Sequence, residues 1–258
     1  MTALLEARGL SKHFGGVLAL DGLDLAVAPN EILGLIGPNG SGKTTFFNVI
    51  TGIYSADAGR VTFDDTDVTN ASGRTVYQAG MSRTFQRSRL SLPLSIFDNI
   101  MIGNHKRLNQ GLWSNLINRR DFKHQFEESY AAARGLVEVF EPALAHRLFE
   151  PVGGLPMIDR RRIEICRALI SSPKLLLLDE PSAGMTHDET ADLMNDILMV
   201  RTRNANLTII IVEHEMGVIE RITDRCVVLN FGRKIAEGPY RTVAADPQVQ
   251  EAYLGAAG

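Results

Sequence analysis

Near its start the chain alternates. Leu23, Leu25 and Val27 recur at every second position, the spacing that puts the side chains of a β-strand on one face. Gly15-Gly16, Asp21-Gly22 and Pro29-Asn30 read as turns punctuating this stretch. Ile32 to Ile36 is nearly all apolar, as expected of a parallel strand covered on both faces. After a glycine-rich break, Thr44 to Thr51 reads as a helix. From about Leu92 the period lengthens. Phe122, Phe126, Tyr130, Ala133, Val137 and Phe140 recur at three- and four-residue intervals with charged residues between them, predicting an amphipathic helix whose aromatic stripe packs a core. Ile163, Cys166, Leu169 and Ile170 continue the helical spacing. Beyond Pro173 the short apolar runs return. Leu175 to Leu178 and Leu207 to Val212 read as buried strands, and Ala191, Met194, Ile197 and Leu198 mark a helix face between them. Cys226 to Leu229 and Lys234 to Ala236 form a closing hairpin around Asn230-Phe231-Gly232.

Strands alternating with helices in this order predict an α/β fold with a parallel sheet. An antiparallel β region lies on its N-terminal side, and a helical subdomain is inserted in it. The expected division is a core of residues 1–91 and 173–258, with residues 92–172 as the helical insertion. No apolar run approaches the ~18–20 residues of a membrane span. The stretch from Met1 to Arg8 lacks the basic, apolar and small-residue succession of a secretory leader. Any work at a membrane therefore requires anchoring by another chain.

Composition narrows the picture in two ways. With 27 basic and 30 acidic residues the formal net charge is −3, too near neutrality for a dedicated nucleic-acid binder. The 2 cysteines, Cys166 and Cys226, lie in apolar surroundings far apart in sequence. They read as reduced, buried thiols of a cytoplasmic protein.

The chemistry concentrates in a few segments. Gly37-Pro38-Asn39-Gly40-Ser41-Gly42-Lys43-Thr44, followed by Thr45, fits G-x-x-x-x-G-K-[ST] between an apolar strand and a helix. Glycines let successive backbone N–H groups turn inward around phosphate oxygens, and the helix N-terminus adds its dipole. Lys43 can then reach the β- and γ-phosphates, and the Thr44 hydroxyl can ligate Mg²⁺. Leu175-Leu176-Leu177-Leu178-Asp179-Glu180 ends an apolar strand on two acids. A carboxylate buried there is costly unless a cation meets it, which makes Asp179 the expected Mg²⁺ partner through water. Glu180 is then the expected base for the attacking water. Gln86, in Ser82-Arg83-Thr84-Phe85-Gln86, and His214, in Glu213-His214-Glu215, fall where further γ-phosphate contacts are needed.

In this order of motifs, nearly the whole chain resembles the ATP-binding subunit of an ABC transporter, a P-loop ATPase. The resemblance implies that Phe14, in Lys12-His13-Phe14, stacks on adenine. It implies too that Gln86 senses Mg²⁺ and the transport channel, and that His214 holds the γ-phosphate. Finer features are similar to the branched-chain amino acid importer class, in particular its subunit with the longer insertion. They are the segment Ser82 to Leu90, the long stretch after Asn104-His105, Arg162-Ile163-Glu164-Ile165 and the tail from Asp246-Pro247 to Gly255. Urea and amide importers share this pattern. The implied assembly pairs the chain with a shorter paralogous ATPase as a heterodimer, two ATP sandwiched head to tail. Two membrane permease subunits and, indirectly, a periplasmic or extracellular solute-binding protein complete it at the cytoplasmic face of the cell membrane. Part of the stretch from Leu92 to about Asn118, with Trp113 and Leu116 exposed, would dock the membrane subunit, with Ser95 and Asn99 within its reach and Gln86 at the hinge.

Two departures stand out. A gap-free alignment on Arg161-Arg162-Ile163-Glu164 puts Leu155-Pro156-Met157-Ile158-Asp159 where the family carries Leu-Ser-x-Gly-Gln. Serine, glycine and glutamine are all replaced, and Gly153-Gly154 reaches the slot only with a four-residue gap. Ser182-Ala183-Gly184-Met185 also lacks the acidic residue many relatives carry there. Two other classes stay open. A soluble ABC ATPase of DNA repair or translation would need a second nucleotide domain or a coiled-coil insertion, and the sequence has neither. An ATP-gated subunit that hydrolyses poorly is opposed by Glu180 and His214 but favoured by Pro156 and Ile158.

Overall fold

The computed structural model describes residues 3–86, 89–104 and 119–254. The expectations for Arg87, Ser88, His105, Trp113, Leu116, Asn118 and Gly255 lie outside these residues, as does the side chain of Phe122. The chain forms two compact units, 1–83 with 174–181 and 201–258, and 84–173 with 182–200.

The first unit holds both sheets. Strands β1 (Leu5–Phe14), β2 (Val17–Val27), β4 (Ala58–Phe63) and β5 (Thr66–Asp67) form an antiparallel sheet in the order β2-β1-β4-β5. The period-two residues Leu23, Leu25 and Val27 are buried, as alternation requires. Asp21-Gly22 is not a turn. The strand runs through it, and the pairing of β1 with β2 shifts register there, between Leu10↔Leu23 and Lys12↔Leu20. A dipeptide with turn chemistry has been absorbed as a β-bulge, with Gly22 at φ 59° supplying the left-handed backbone. The second sheet has the order β10-β9-β3-β8-β7-β6, with β3 (Ile32–Ile36), β6 (Met81–Arg83), β7 (Leu175–Asp179), β8 (Thr208–Val212) and β9 (Arg225–Asn230) parallel. β10 (Arg233–Gly238) is the antiparallel edge. β3, β7 and β8 are buried at every position, as continuous apolar runs predict. A single core joins the sheets to the helix Lys43–Ile50, which contributes Phe46, Phe47, Val49 and Ile50. Short helices Tyr240–Ala244 and Pro247–Leu254 follow β10. Nothing in their apolar spacing announced them.

The second unit is helical, built on Ile96–Met101, Arg119–Phe140, Met157–Leu169 and most of His187–Arg203. Ala133, Val137 and Phe140 are buried as the stripe predicts. Farther along it, Phe126 and Tyr130 join Phe97 and Phe149 in an aromatic cluster that stays open to solvent at Phe126 and Phe149. On His187–Arg203 the buried face is Leu193, Met194, Ile197 and Val200, rotated from the predicted one, because Asp196 turns inward to meet Arg162 at 2.9 Å. Asn99 is fully buried. Its side chain holds the backbone at Ser91, Leu94 and Ser95, so it presents nothing to a partner. Both cysteines are buried and unpaired, and burial raises both thiol pKa values above their usual range.

Candidate functional site

The site grows from the end of β3, where the chain must leave the sheet and enter the helix Lys43–Ile50 within six residues. Gly37 has φ 147°, and a Cβ there would lie 2.1 Å from the Leu229 carbonyl oxygen. Gly42 caps the helix at φ 106°, where a Cβ would lie 2.6 Å from the Ala19 oxygen. Only glycine fits either position. The loop curls so tightly that the Lys43 ammonium lies inside it, donating to the carbonyls of Gly37 (2.6 Å) and Pro38 (2.9 Å) and to Ser41 Oγ (3.3 Å). Burial lowers the Lys43 pKa, while the charges of Glu180 and Asp179 oppose that shift. Burial pushes the Tyr253 hydroxyl up to about 12, and the Gly37 backbone N–H opposes that shift.

Two strand ends deliver the acids and the histidine. β7 and β8 run in parallel with Asp179 opposite Val212, so the residues just beyond each strand emerge side by side. Glu180 takes a left-handed backbone (φ 48°) and donates its N–H to the Val212 oxygen at 2.9 Å. Such strain in a non-glycine residue persists only where surroundings enforce it. The result is a direct contact between Glu180 Oε1 and His214 Nε2 at 2.5 Å. A pocket of about 220 Å³ brings together Asn39, Gly40, Ser41, Gly42, Lys43, Thr44, Thr45, Glu180 and His214. Val17, Leu18, Ala19 and Phe231 line it too. These were missed. Phe231 reads in sequence as a hairpin tip, yet it is 81 % exposed beside the phosphate loop. Exposed apolar side chains next to a phosphate cradle are what the flat, apolar part of a nucleotide requires.

Asp179 is deep in the sheet. The cation that meets its carboxylate is Arg83, whose Nη2 lies 2.6 Å from Asp179 Oδ2. The sequence led to Mg²⁺ as the cation at this carboxylate; in the structure the contact is made by Arg83. Arg83 ends β6, and only the pairing of β6 with β7 brings it beside the strand that ends in Asp179. Phe14 sits at the exposed end of β1, edge-on to Tyr54 at 5.1 Å with Lys12 Nζ over its ring at 5.4 Å. It is not among the pocket-lining residues named above.

The remaining predicted residues belong to the second unit. Gln86 is exposed. The helix Met157–Leu169 starts directly after Pro156, which caps it at φ −54° and ψ 161° with no side-chain hydrogen bond. Leu155 is buried, Pro156 and Met157 are exposed, and Ile158 and Asp159 are half-buried. The Asp159 carboxylate sits in the first turn, 3.2 Å from Arg162. Gly184 packs so that a Cβ would meet Met157 Sδ at 3.4 Å.

Residues 20–183 match the profile of a family described as ABC transporter, and residues 233–258 one described as Branched-chain amino acid ATP-binding cassette transporter. The chain is 36% identical over 255 residues to the high-affinity branched-chain amino acid transport ATP-binding protein LivG of Escherichia coli (strain K12), covering 98% of each. It is as similar to BraF of Pseudomonas aeruginosa, which bears the same description, with 36% identity and 98% of each covered. Among solved structures, a nucleotide-free ATP-binding cassette from an ABC transporter superposes with a TM-score of 0.83 at 32% identity, covering 98% of this chain and 99% of that one. An ADP-bound cassette reaches 0.84 at 31% identity, covering 99% and 100%.

Proposed function

Since the chain belongs to the ABC transporter family of ATP-binding proteins, in its branched-chain amino acid branch, we propose that it is the ATP-hydrolysing subunit of an importer for branched-chain amino acids or a related small amino-acid or amide solute. The carrying observation is the Glu180–His214 contact at the rim of the pocket that also contains Lys43. In this reading the loop amides of Gly37 to Thr45 bind the β- and γ-phosphates. Lys43 leaves its own loop carbonyls for phosphate oxygens, a charge-assisted exchange. Phe14, with the exposed apolar residues at the pocket edge, takes the adenine. Glu180 accepts the proton of the attacking water, the water oxygen bonds to the γ-phosphorus, and ADP leaves with orthophosphate as the second product. His214 orients Glu180 and contacts the γ-phosphate.

The donor set suits Mg²⁺. Thr44 and Asp179 offer a hydroxyl and a carboxylate, both hard ligands, and the amide oxygen of Gln86 is a third donor in this reading. Bound there, Mg²⁺ neutralises charge on the transferring phosphoryl group.

The proposed assembly is a heterodimer with a shorter paralogue of the LivF kind. It sits on two permeases at the cytoplasmic face of the membrane and is fed by a solute-binding protein outside. Among the described residues no helix is long and apolar enough to cross a membrane, and in this reading the permeases hold the chain there. The expected test is Glu180→Gln in the assembled complex, which should bind ATP yet lose hydrolysis by about 10²–10⁴-fold. An unchanged turnover would remove Glu180 from the mechanism. Thermal-shift screening of the cognate binding protein against branched-chain and amide solutes identifies the cargo.

A further inference from the structure

Arg83 is buried where charge is most expensive. Its side chain is 6 % exposed and that of Asp179 4 %, so neither charge is carried by water. The guanidinium is held on three sides within one unit. Nη2 donates to Asp179 at 2.6 Å, Nη1 donates to Asn48 Oδ1 at 2.6 Å, and Cζ lies 5.2 Å above the centre of the Phe47 ring. Asn48 and Phe47 belong to the helix that begins at Lys43, and Asp179 ends β7. Backbone pairing fixes the third part, because Arg83 stands opposite Leu177 in the β6–β7 ladder. The guanidinium therefore ties the phosphate-loop helix to the strand that carries the metal-side carboxylate.

We infer that Arg83 is a positioning residue that acts as the resident counter-cation of Asp179, holding that carboxylate in place and weakening its pull on an incoming Mg²⁺. The reasoning is electrostatic. A buried carboxylate without a partner is strongly disfavoured, so in the metal-free protein Arg83 makes Asp179 tolerable. When Mg²⁺ arrives with nucleotide, the same carboxylate meets two cations, and the nearby positive charge of Arg83 lowers the gain from the second. Metal affinity is thereby held down, and release after hydrolysis is eased. Arg83 also stands three residues before Gln86, so the segment carrying Gln86 begins at this ion pair.

The inference rests on the reading of Asp179 as a metal-side carboxylate, and the experiment separates the two. The full chain in the Glu180→Gln background, saturated with ATP, is titrated with Mg²⁺ while its unfolding temperature is followed. Arg83→Met keeps length and apolar bulk but removes the charge. It should unfold at a lower temperature without Mg²⁺, recover part of that loss with Mg²⁺, and show a Mg²⁺ midpoint lower by about tenfold or more. In an Asp179→Asn background the same substitution should cost far less stability, since no buried anion is left alone. Asn48→Ala, which removes one anchor and leaves the charge, provides a folding-competent control if Arg83→Met fails to fold. It should shift the Mg²⁺ midpoint in the same direction by a smaller factor. Equal loss of unfolding temperature with and without Mg²⁺, at an unchanged midpoint in every folded variant, reduces Arg83 to a packing role and overturns the inference. If Asp179→Asn leaves the Mg²⁺ midpoint of the parent unchanged, the metal-side reading of Asp179 itself fails.

Discussion

Lys43 illustrates how a binding residue is stored before its ligand comes. Its ammonium donates to three acceptors of its own loop, which keeps the charge satisfied although burial lowers its pKa. Lys43→Ala should therefore weaken ATP binding by about tenfold to a hundredfold, the worth of charge-assisted hydrogen bonds, as read by titration calorimetry. A second residue-scale expectation concerns Asp57. Hydrogen bonds from the Lys12 side chain and the His13 backbone bring its carboxyl down to about 2 from an ordinary 3.8. A depressed folded-state pKa gives stability that is complete above the unfolded value and is lost as pH falls from about 4 to about 2. Unfolding temperatures of the parent and Asp57→Asn should differ above pH 4 and converge toward pH 2; a constant gap would contradict the assignment. That the phosphate loop, Glu180 and His214 meet at one pocket was legible in sequence because each follows a strand end by local spacing. Arg83, Val17, Leu18 and Phe231 were not, since their roles depend on which strands lie side by side.

At the scale of elements, helix ends carry the remaining argument. The helix Met157–Leu169 has no hydroxyl cap, and its first turn bears Asp159. A carboxylate there already complements the helix dipole and opposes a phosphate that would use the same end. Pro156 offers neither hydroxyl nor N–H, and Ile158 adds a β-branched side chain where close approach favours glycine. This helix end is expected to complete a weak ATP site on a partner. Pro156→Ser/Ile158→Gly should raise turnover there by about tenfold to a hundredfold. The element at the other end of the chain acts in the opposite sense. The Tyr253 hydroxyl, carried by the helix Pro247–Leu254, is near enough to the Gly37 backbone N–H for that group to oppose the rise in its pKa. Tyr253→Phe should loosen the phosphate loop and weaken ATP binding by several-fold, about the worth of one neutral hydrogen bond. β3, β7 and β8 were readable from continuous apolar runs. The Asp21-Gly22 bulge was not, because its residues carry turn chemistry while the pairing of β1 with β2 decides the outcome.

For the molecule as a whole, the proposed pairing makes a quantitative claim. Lys43, Asp179, Glu180 and His214 complete a competent site against an intact partner signature, whereas two copies of this chain supply only altered ones. The purified chain should hydrolyse ATP slowly beside the mixed complex, and the Pro156→Ser/Ile158→Gly pair should narrow the gap. If the isolated chain turns over as fast as the complex, the asymmetry is wrong. The position of β3 has a separate consequence, for biosynthesis. Its register partners are Ile209 to Ile211 on β8 and Arg225 to Val228 on β9, segments that leave the ribosome long after the phosphate loop has been made. Contacts so distant in sequence require large loops to close before they contribute, which slows folding. The phosphate loop must wait, with its strand unpaired, for the last quarter of the chain. A nascent chain stalled before Leu207 should neither retain ATP nor protect the Ile32–Ile36 segment from protease, and both properties should appear together once residue 230 has emerged.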